Sequence, residues 1–370
     1  MKNQSKFISR NDLNNWLTEL SARFDVWTPS NEGEGATGAV VYRPFDAAKG
    51  VELDKKPTES AKHTIYPRSE ALINYKRNQD AENPGKAALY LEVPAAAAPR
   101  LVFGLPPCDA RGFLVLDPVF DGAGTNGQAK DVYYLRRRAN TVLITKTCSR
   151  VFSTCFCNWT GGFPASAEGA DVLATEVTNG WLLTPISEAG AGVLDSSLLK
   201  PADDAMVSEA EQSHAAAEKA LRPAIDVSGA MEGLVSRFDD MDFWQGESAP
   251  CLSCGACTYL CPTCYCFNIT DESAGLNGVR MRNWDTCMCQ TFTLEASGHN
   301  PRTTKAARLK NRVGHKFSYY PRMHNVVACT GCGRCIRNCP SGVDIRRIVA
   351  AVAGQSQDIK SNAGAPGGKE

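Results

Sequence analysis

The sequence predicts an α+β protein: a mixed α/β domain over residues 1–240, a cysteine-rich helical domain over 241–353 and a disordered tail over 354–370. Three observations carry that prediction. Short β-branched and aromatic runs recur through the first half, separated by turn residues. Strand signals vanish from Cys251 onward, where spaced cysteines, turns and helical patterns take over. The closing stretch, GQSQDIKSNAGAPGGKE, has almost nothing to bury.

The first element is a helix over Asn11–Arg23, with Leu13, Trp16, Leu17 and Leu20 on one face and Ser9 or Asn11 as its cap. Strands follow at 39–42 (AVVY), 88–93 (ALYLEV), 100–104 (RLVFG), 141–145 (TVLIT), 171–177 (DVLATEV) and 181–185 (WLLTP), with PAAAAP over 94–99 as a connector. Residues 202–221, rich in Ala and Glu, read as a helix, and 227–243 bridge to the second domain. A longer helical pattern runs from Pro301 to about Tyr319.

Composition bounds the function. With 370 residues, 43% of them hydrophobic, the chain can bury two cores. Lys+Arg and Asp+Glu are equal at 40 each, so net charge argues for neither nucleic acid nor an anionic membrane. The opening MKNQSKFISR lacks the apolar stretch of a signal peptide. No run approaches the roughly 18 apolar residues of a membrane span. Sixteen cysteines in a chain this long do not read as a secreted disulfide scaffold. They read as thiolate ligands, which implies a reducing cytoplasm, that of an anaerobe.

Two runs carry the chemistry. Cys251, Cys254, Cys257 and Cys261, followed by Pro262, form one C-x2-C-x2-C-x3-C-P pattern; Cys329, Cys332, Cys335 and Cys339, followed by Pro340, form a second. In this bacterial ferredoxin pattern three close thiolates hold one cluster and the fourth ligates the other. Cys251, Cys254, Cys257 and Cys339 are thus expected to hold one [4Fe–4S] cluster, and Cys329, Cys332, Cys335 and Cys261 the second. Two-residue gaps let backbone N–H groups turn toward the sulfurs, and Gly255, Gly331 and Gly333 permit the tight geometry. A zinc site needs only four ligands and has no C-P ending. The long, helical linker over 262–328 favours an α-helical two-cluster ferredoxin domain over the small β-containing kind. Residues 262–350 hold 13 Lys/Arg against 5 Asp/Glu. That surplus suits charge compensation of anionic clusters, or a basic face for an acidic partner.

Eight cysteines remain. Cys264, Cys266, Cys287 and Cys289 are expected to line the clusters as packing thiols, with ligation as the alternative. Cys108 follows one strand, and Cys148, Cys155 and Cys157 follow another. If those strands are neighbours, the four thiols converge, enough for a third [4Fe–4S] cluster or for plain structural packing. Gly122, Gly124 and Gly127 match G-x-G-x-x-G, but 128–138 is expected to lead to a strand rather than a helix, so no dinucleotide site is assigned. Histidines 63, 214, 299, 315 and 324 show no metal-ligand spacing; His299 and His315 read as helix-start and packing residues.

The strings CLSCGACTYLCPTCYCF (251–267), RNWDTCMCQTF (282–292), GHNPR (298–302), HKFSYY (315–320) and CTGCGRCIRNCPSGVDI (329–345) resemble the iron–sulfur β subunit of cytosolic sulfhydrogenases. They equally resemble the dicluster iron–sulfur subunit of anaerobic sulfite reductases. FGLPPCDARG (103–112) and the CFC and GGFP strings of 155–164 extend the resemblance into the first half. It implies an electron relay seated between a flavin-containing, ferredoxin-reductase-like subunit that uses a nicotinamide nucleotide and a catalytic subunit. The catalytic module stays open among nickel–iron hydrogenase, sirohaem sulfite reductase and heterodisulfide-reductase types. Two rival readings remain: a thiol/disulfide-reducing enzyme using Cys108, Cys148, Cys155 and Cys157, and a module whose clusters only staple its fold.

Overall fold

The computed structural model describes residues 5–355 except 34–37, 79, 81, 84, 87, 96 and 124–128. Gly124, Gly127 and the tail expected beyond Gln355 lie outside the described residues.

The first half is organised by one sheet. In chain order come β1 (Lys6–Ser9), α1 (Leu13–Leu20), β2 (Asp25–Glu32), β3 (Ala39–Pro44), β4 (Ser69–Asn78), β5 (Ala88–Glu92), β6 (Arg100–Leu105), α2 (Pro107–Phe120), α3 (Val132–Ala139), β7 (Thr141–Lys146), β8 (Val172–Val177), β9 (Gly180–Pro185), α4 (Glu188–Val193), β10 (Lys200–Pro201) and α5 (Asp204–Lys219). Eight strands form a sheet in the order β10-β1-β9-β8-β7-β6-β2-β3. Its centre, β2, β6, β7 and β8, is parallel, and β9, β1, β10 and β3 flank it antiparallel.

Strand alternation divides the core between the two faces. On β6, Leu101 and Phe103 pack with Ile144 of β7 and with Leu13, Trp16, Leu17 and Leu20 of α1. Val102 and Leu105 pack instead with Leu143, Phe113, Leu116 and Phe120 of α2, and Tyr134 of α3. The four residues expected on one face of the first helix are all buried. Its cap differs from the expectation: Asp12 precedes the helix, and its N–H donates to the Ser9 hydroxyl at 3.2 Å.

The described structure corrects several expectations. Helix α2 is unforeseen, because Pro106-Pro107 reads as a breaker; Pro107 instead opens the helix, where a missing N–H costs nothing. Helix α3, not a strand, follows the glycine-rich loop, with Asp131 capping it through Tyr133 and Tyr134 N–H groups. That loop still joins two helices rather than a strand and a helix, so the dinucleotide pattern lacks its context.

The second half is expected to be free of strands. It holds α6 (Ala230–Ser236), α7 (Met241–Ser248), α8 (Ala256–Tyr259), β11 (Phe267–Ala274), β12 (Asn277–Trp284), α9 (Lys305–Gly314), a π-helical turn (His315–Tyr319), α10 (Tyr320–His324), α11 (Arg334–Arg337) and α12 (Ile345–Val352). The linker between the cysteine runs is therefore part hairpin, part helix. β11 and β12 turn tightly at Gly275–Leu276, with Gly275 at φ +62°. The hairpin joins β4 and β5 in a four-stranded antiparallel sheet, β11-β12-β4-β5, which stitches the two halves of the chain together. Its polar, mostly exposed strands lack the alternation that would mark them in sequence. Among the described residues no helix is long and apolar enough to cross a membrane.

Trp16 is fully buried and meets Phe103 edge-on at 6.3 Å. Trp16→Ala is expected to cost about 3–5 kcal/mol, read as a lowered denaturation midpoint by circular dichroism; a change under about 1 kcal/mol would contradict this packing.

Candidate iron–sulfur centres

Each cysteine run is a loop that ends in one helical turn. Gly255 and Gly333, both left-handed at φ +76° and +73°, start α8 and α11 and let the loop double back around its thiols. Gly333 also has no room for a side chain: a Cβ would lie 2.4 Å from the Thr154 carbonyl oxygen. The second run is thus pressed against the Cys155–Cys157 segment, whose Phe156 N–H donates to the Gly331 carbonyl at 2.9 Å.

Two cavities form between the runs. The outer one is lined by Cys251, Cys254 and Cys257 from the first run and by Cys335 and Cys339 from the second. The inner one is lined by Cys329, Cys332 and Cys335 from the second run and by Cys261 from the first. All four cysteines of one expected ligand set rim the outer cavity, and all four of the other rim the inner one. Cys335, Arg312 and Ile345 line both cavities, so one layer of side chains separates them.

The walls suit an anionic iron–sulfide group. Backbone N–H groups point at thiols: Ser253 at Cys251 Sγ (3.4 Å), Gly331 at Cys329 Sγ (3.5 Å) and Val343 at Cys339 Sγ (3.3 Å). Two buried polar atoms of the inner wall, Arg312 Nε and Thr330 Oγ1, have no protein partner, and sulfide acceptors would satisfy them. Among the described residues no three Cys, His, Asp or Glu side chains converge on the point one metal ion would occupy.

Positive charge is built into the inner wall. Lys316, 1% exposed, donates from Nζ to Cys261 Sγ at 3.4 Å, to Thr263 Oγ1 at 3.0 Å and to the Ala328 carbonyl at 3.0 Å. Cys261 is held well below the usual thiol range by a hydrogen bond from Cys264, against burial, with Lys316 assisting. Burial pushes Cys329 up to about 11. Arg334 is completely buried and forks onto Asp109 of α2, with Nη2 at 2.9 Å from Oδ2 and Nη1 on Oδ1. Asp109 Oδ2 also accepts the Ala61 N–H at 3.0 Å, and Arg334 Nε reaches the Pro57 carbonyl at 3.2 Å. Lys62 Nζ bonds the Thr258 and Cys264 carbonyls and sits 4.0 Å over the Trp284 ring.

The N-terminal quartet also converges. β6 and β7 are parallel neighbours, and Cys108 and Cys148 follow their C-terminal ends. Lys56 Nζ donates to Cys155 Sγ at 3.1 Å, and the Cys108 and Cys148 thiols lie within its electrostatic reach. Burial, the largest single influence, would raise Cys155, but the Lys56 ammonium and its hydrogen bond, with a backbone hydrogen bond at Phe152 and the Arg337 charge, together bring this thiol below the usual range. Burial, then the neighbouring Cys155, push Cys157 up to about 12. Cys108 also feels Cys332 of the inner wall. A cavity of about 70 Å³ opens beside Lys56 and Cys148.

Cys264, Cys266, Cys287 and Cys289 line neither of the two cavities between the runs. Cys266 and Cys287 hydrogen-bond to each other at the base of the hairpin, which holds Cys266 down at about 7. Cys289 pairs with the Thr291 hydroxyl at 3.1 Å. His315 accepts or donates a 2.8 Å bond with the Tyr265 hydroxyl, a packing role. The buried cations Lys56, Lys62, Arg312, Lys316 and Arg334 do not stand out in the sequence. For Arg312, Lys316 and Arg334 the surplus of Lys and Arg over 262–350 is the only signal, and it does not say which of them turn inward; Lys56 and Lys62 lie outside that segment.

Comparison with known proteins fits this geometry. Residues 250–343 match the family model of the 4Fe-4S dicluster domain. A curated relative, sulfhydrogenase 2 subunit beta of Pyrococcus furiosus, is 28% identical over 294 residues, 79% of this chain and 81% of the relative. The chain is thus similar to a sulfhydrogenase β subunit along most of its length and carries a 4Fe-4S dicluster domain. Both findings support an iron–sulfur, 4Fe–4S electron-transport subunit.

Breaking the Asp109–Arg334 fork strands a buried carboxylate. Arg334→Met is expected to cost about 3–5 kcal/mol, and Arg334→Lys to recover only part because an ammonium cannot make both bonds. Anaerobic thermal denaturation reads both; an unchanged midpoint for Arg334→Met would contradict the assignment.

Proposed function

We propose that this chain relays electrons between a flavin-containing subunit that uses a nicotinamide nucleotide and a catalytic redox subunit of hydrogenase, sulfite reductase or heterodisulfide reductase type. The adjacency of two cavities, each rimmed by four or more thiols, carries this reading. A structural role would require only one such site, and isolated sites would not pass electrons onward.

In this reading Cys251, Cys254, Cys257 and Cys339 hold the outer [4Fe–4S] cluster, and Cys329, Cys332, Cys335 and Cys261 the inner one. The bound clusters supply one-electron transfer. The protein supplies everything that sets its terms. Thiolates fix position, backbone N–H groups delocalise negative charge, and burial excludes water from Cys261, Cys329 and Cys332. At the outer cavity Cys254 is exposed and Leu252 is 67% exposed, so a partner approaches there most closely.

Cys108, Cys148, Cys155 and Cys157 surround Lys56 next to the inner wall, and we assign them a third [4Fe–4S] cluster. A second reading has its own support. The Lys56 ammonium favours a Cys155 thiolate, and the cavity beside Cys148 lies at the C-terminal ends of parallel strands, where α/β sheets bind small ligands. Those features suit reduction of a small thiol or disulfide substrate.

Iron and sulfide analysis of the anaerobically purified full chain tests both. About twelve irons per chain are expected, falling to about eight in Cys155→Ser. About eight in the unaltered chain would remove the third cluster and favour the thiol chemistry. Clearly fewer than eight would defeat the relay itself.

A further inference from the structure

The two cavities differ in one respect that their thiols do not explain. Arg312 lines both, so its charge acts on both. Lys316 lines only the inner one. It is the last of the buried cations along a single helical stretch, and it sits in the π-helical turn His315–Tyr319, a wide-turn geometry frequent at functional sites.

An ammonium has three N–H donors and no acceptor. All three of Lys316 are used, on Cys261 Sγ, Thr263 Oγ1 and the Ala328 carbonyl. Thr263 reinforces the arrangement, with its hydroxyl 2.8 Å from the Ala328 oxygen and 3.2 Å from Cys261 Sγ. A neutral amine would leave one of these acceptors facing a lone pair. The site therefore fixes a full positive charge, out of water, against one thiolate of the inner set. No surface-packing role needs that: a buried Lys exacts a large desolvation cost unless an anion answers it.

At the outer cavity, Ser253 and Val343 offer ligand sulfur neutral backbone N–H groups. A fixed cation close to a redox group stabilises the more negative, reduced state and so raises its potential, and the effect falls off with distance. We infer that Lys316 is a positioning residue for electron transfer that selectively raises the potential of the inner cluster, through the charged hydrogen bond it donates to Cys261. This inference rests on the relay reading above, because it needs both clusters in place.

The test is an EPR-monitored redox titration of the anaerobically purified full chain and of Lys316→Met and Lys316→Arg, with iron and sulfide measured on each. The expected result is unchanged iron in Lys316→Met, a negative shift of one cluster's midpoint potential and no shift of the other. Lys316→Arg, which keeps the charge, should stay close to the unaltered chain. Full iron with both potentials unmoved in Lys316→Met would overturn the inference while leaving the relay intact. Low iron in the unaltered chain would instead defeat the relay. Should Lys316→Met fail to load clusters, the unaltered chain carrying ¹⁵N-lysine gives a second readout. Electron–nuclear double resonance should then find a lysine nitrogen coupled to one reduced cluster, and finding none on either would overturn the inference.

Discussion

The proposed exchange of one cysteine between two runs constrains the rest of this structure. Each cavity between them is rimmed by three thiols of one run and by the last cysteine of the other, with Cys335 lining both, although Cys261 and Cys329 are far apart in the chain. Neither cavity can be completed until both runs lie side by side. Whatever joins them must therefore close a long loop, and the closure entropy of such a loop grows only slowly with length. That tolerance explains how a hairpin and a long helix can stand between the runs without disturbing them. It also explains why β12 pairs with β4 from the first half: the insertion is anchored elsewhere, within its own sheet.

The second consequence is electrostatic. Thiolates and clusters bring negative charge into a low-dielectric interior, where unpaired charge is costly. The chain answers with Lys316, Arg312, Lys62 and Lys56 turned inward, each donating to nearby thiolates or carbonyls. Arg334 is different. It leaves the second run and locks onto Asp109 in the first turn of α2, so the inner cavity is built on the α/β sheet rather than hung beside it. Gly112 of the same helix approaches Pro262, the residue that ends the first run: a Cβ there would lie 2.8 Å from the Pro262 Cβ. One helix thus touches both runs and carries Cys108 as well. Sheet, quartet and cavities are one continuous construction.

Much of this is legible in the sequence, for physical reasons that also mark its limits. Cluster spacing is a local property, so the two runs can be read directly. Strands β6, β7, β8 and β9 are legible because their β-branched runs are buried on both faces. β4, β11 and β12 are not, since an exposed sheet shows no apolar alternation and Asp271, Glu272 and Asn277 read as loop. Helix α2 is hidden by its own opening proline. The inward cations are invisible because a lysine in a basic segment looks the same whether it faces water or sulfur. Cys266 and Cys287 are paired only by the hairpin, which the sequence does not announce.

The exchange itself is open to direct measurement. Serine variants of single ligands can be sorted by which of the two EPR signals of the reduced protein each one perturbs. Cys261→Ser is expected to disturb the same signal as Cys332→Ser, and Cys339→Ser the same signal as Cys254→Ser. If Cys261→Ser instead altered the signal lost with Cys254→Ser, each run would be holding its own cluster, and the crossed ligation would be contradicted.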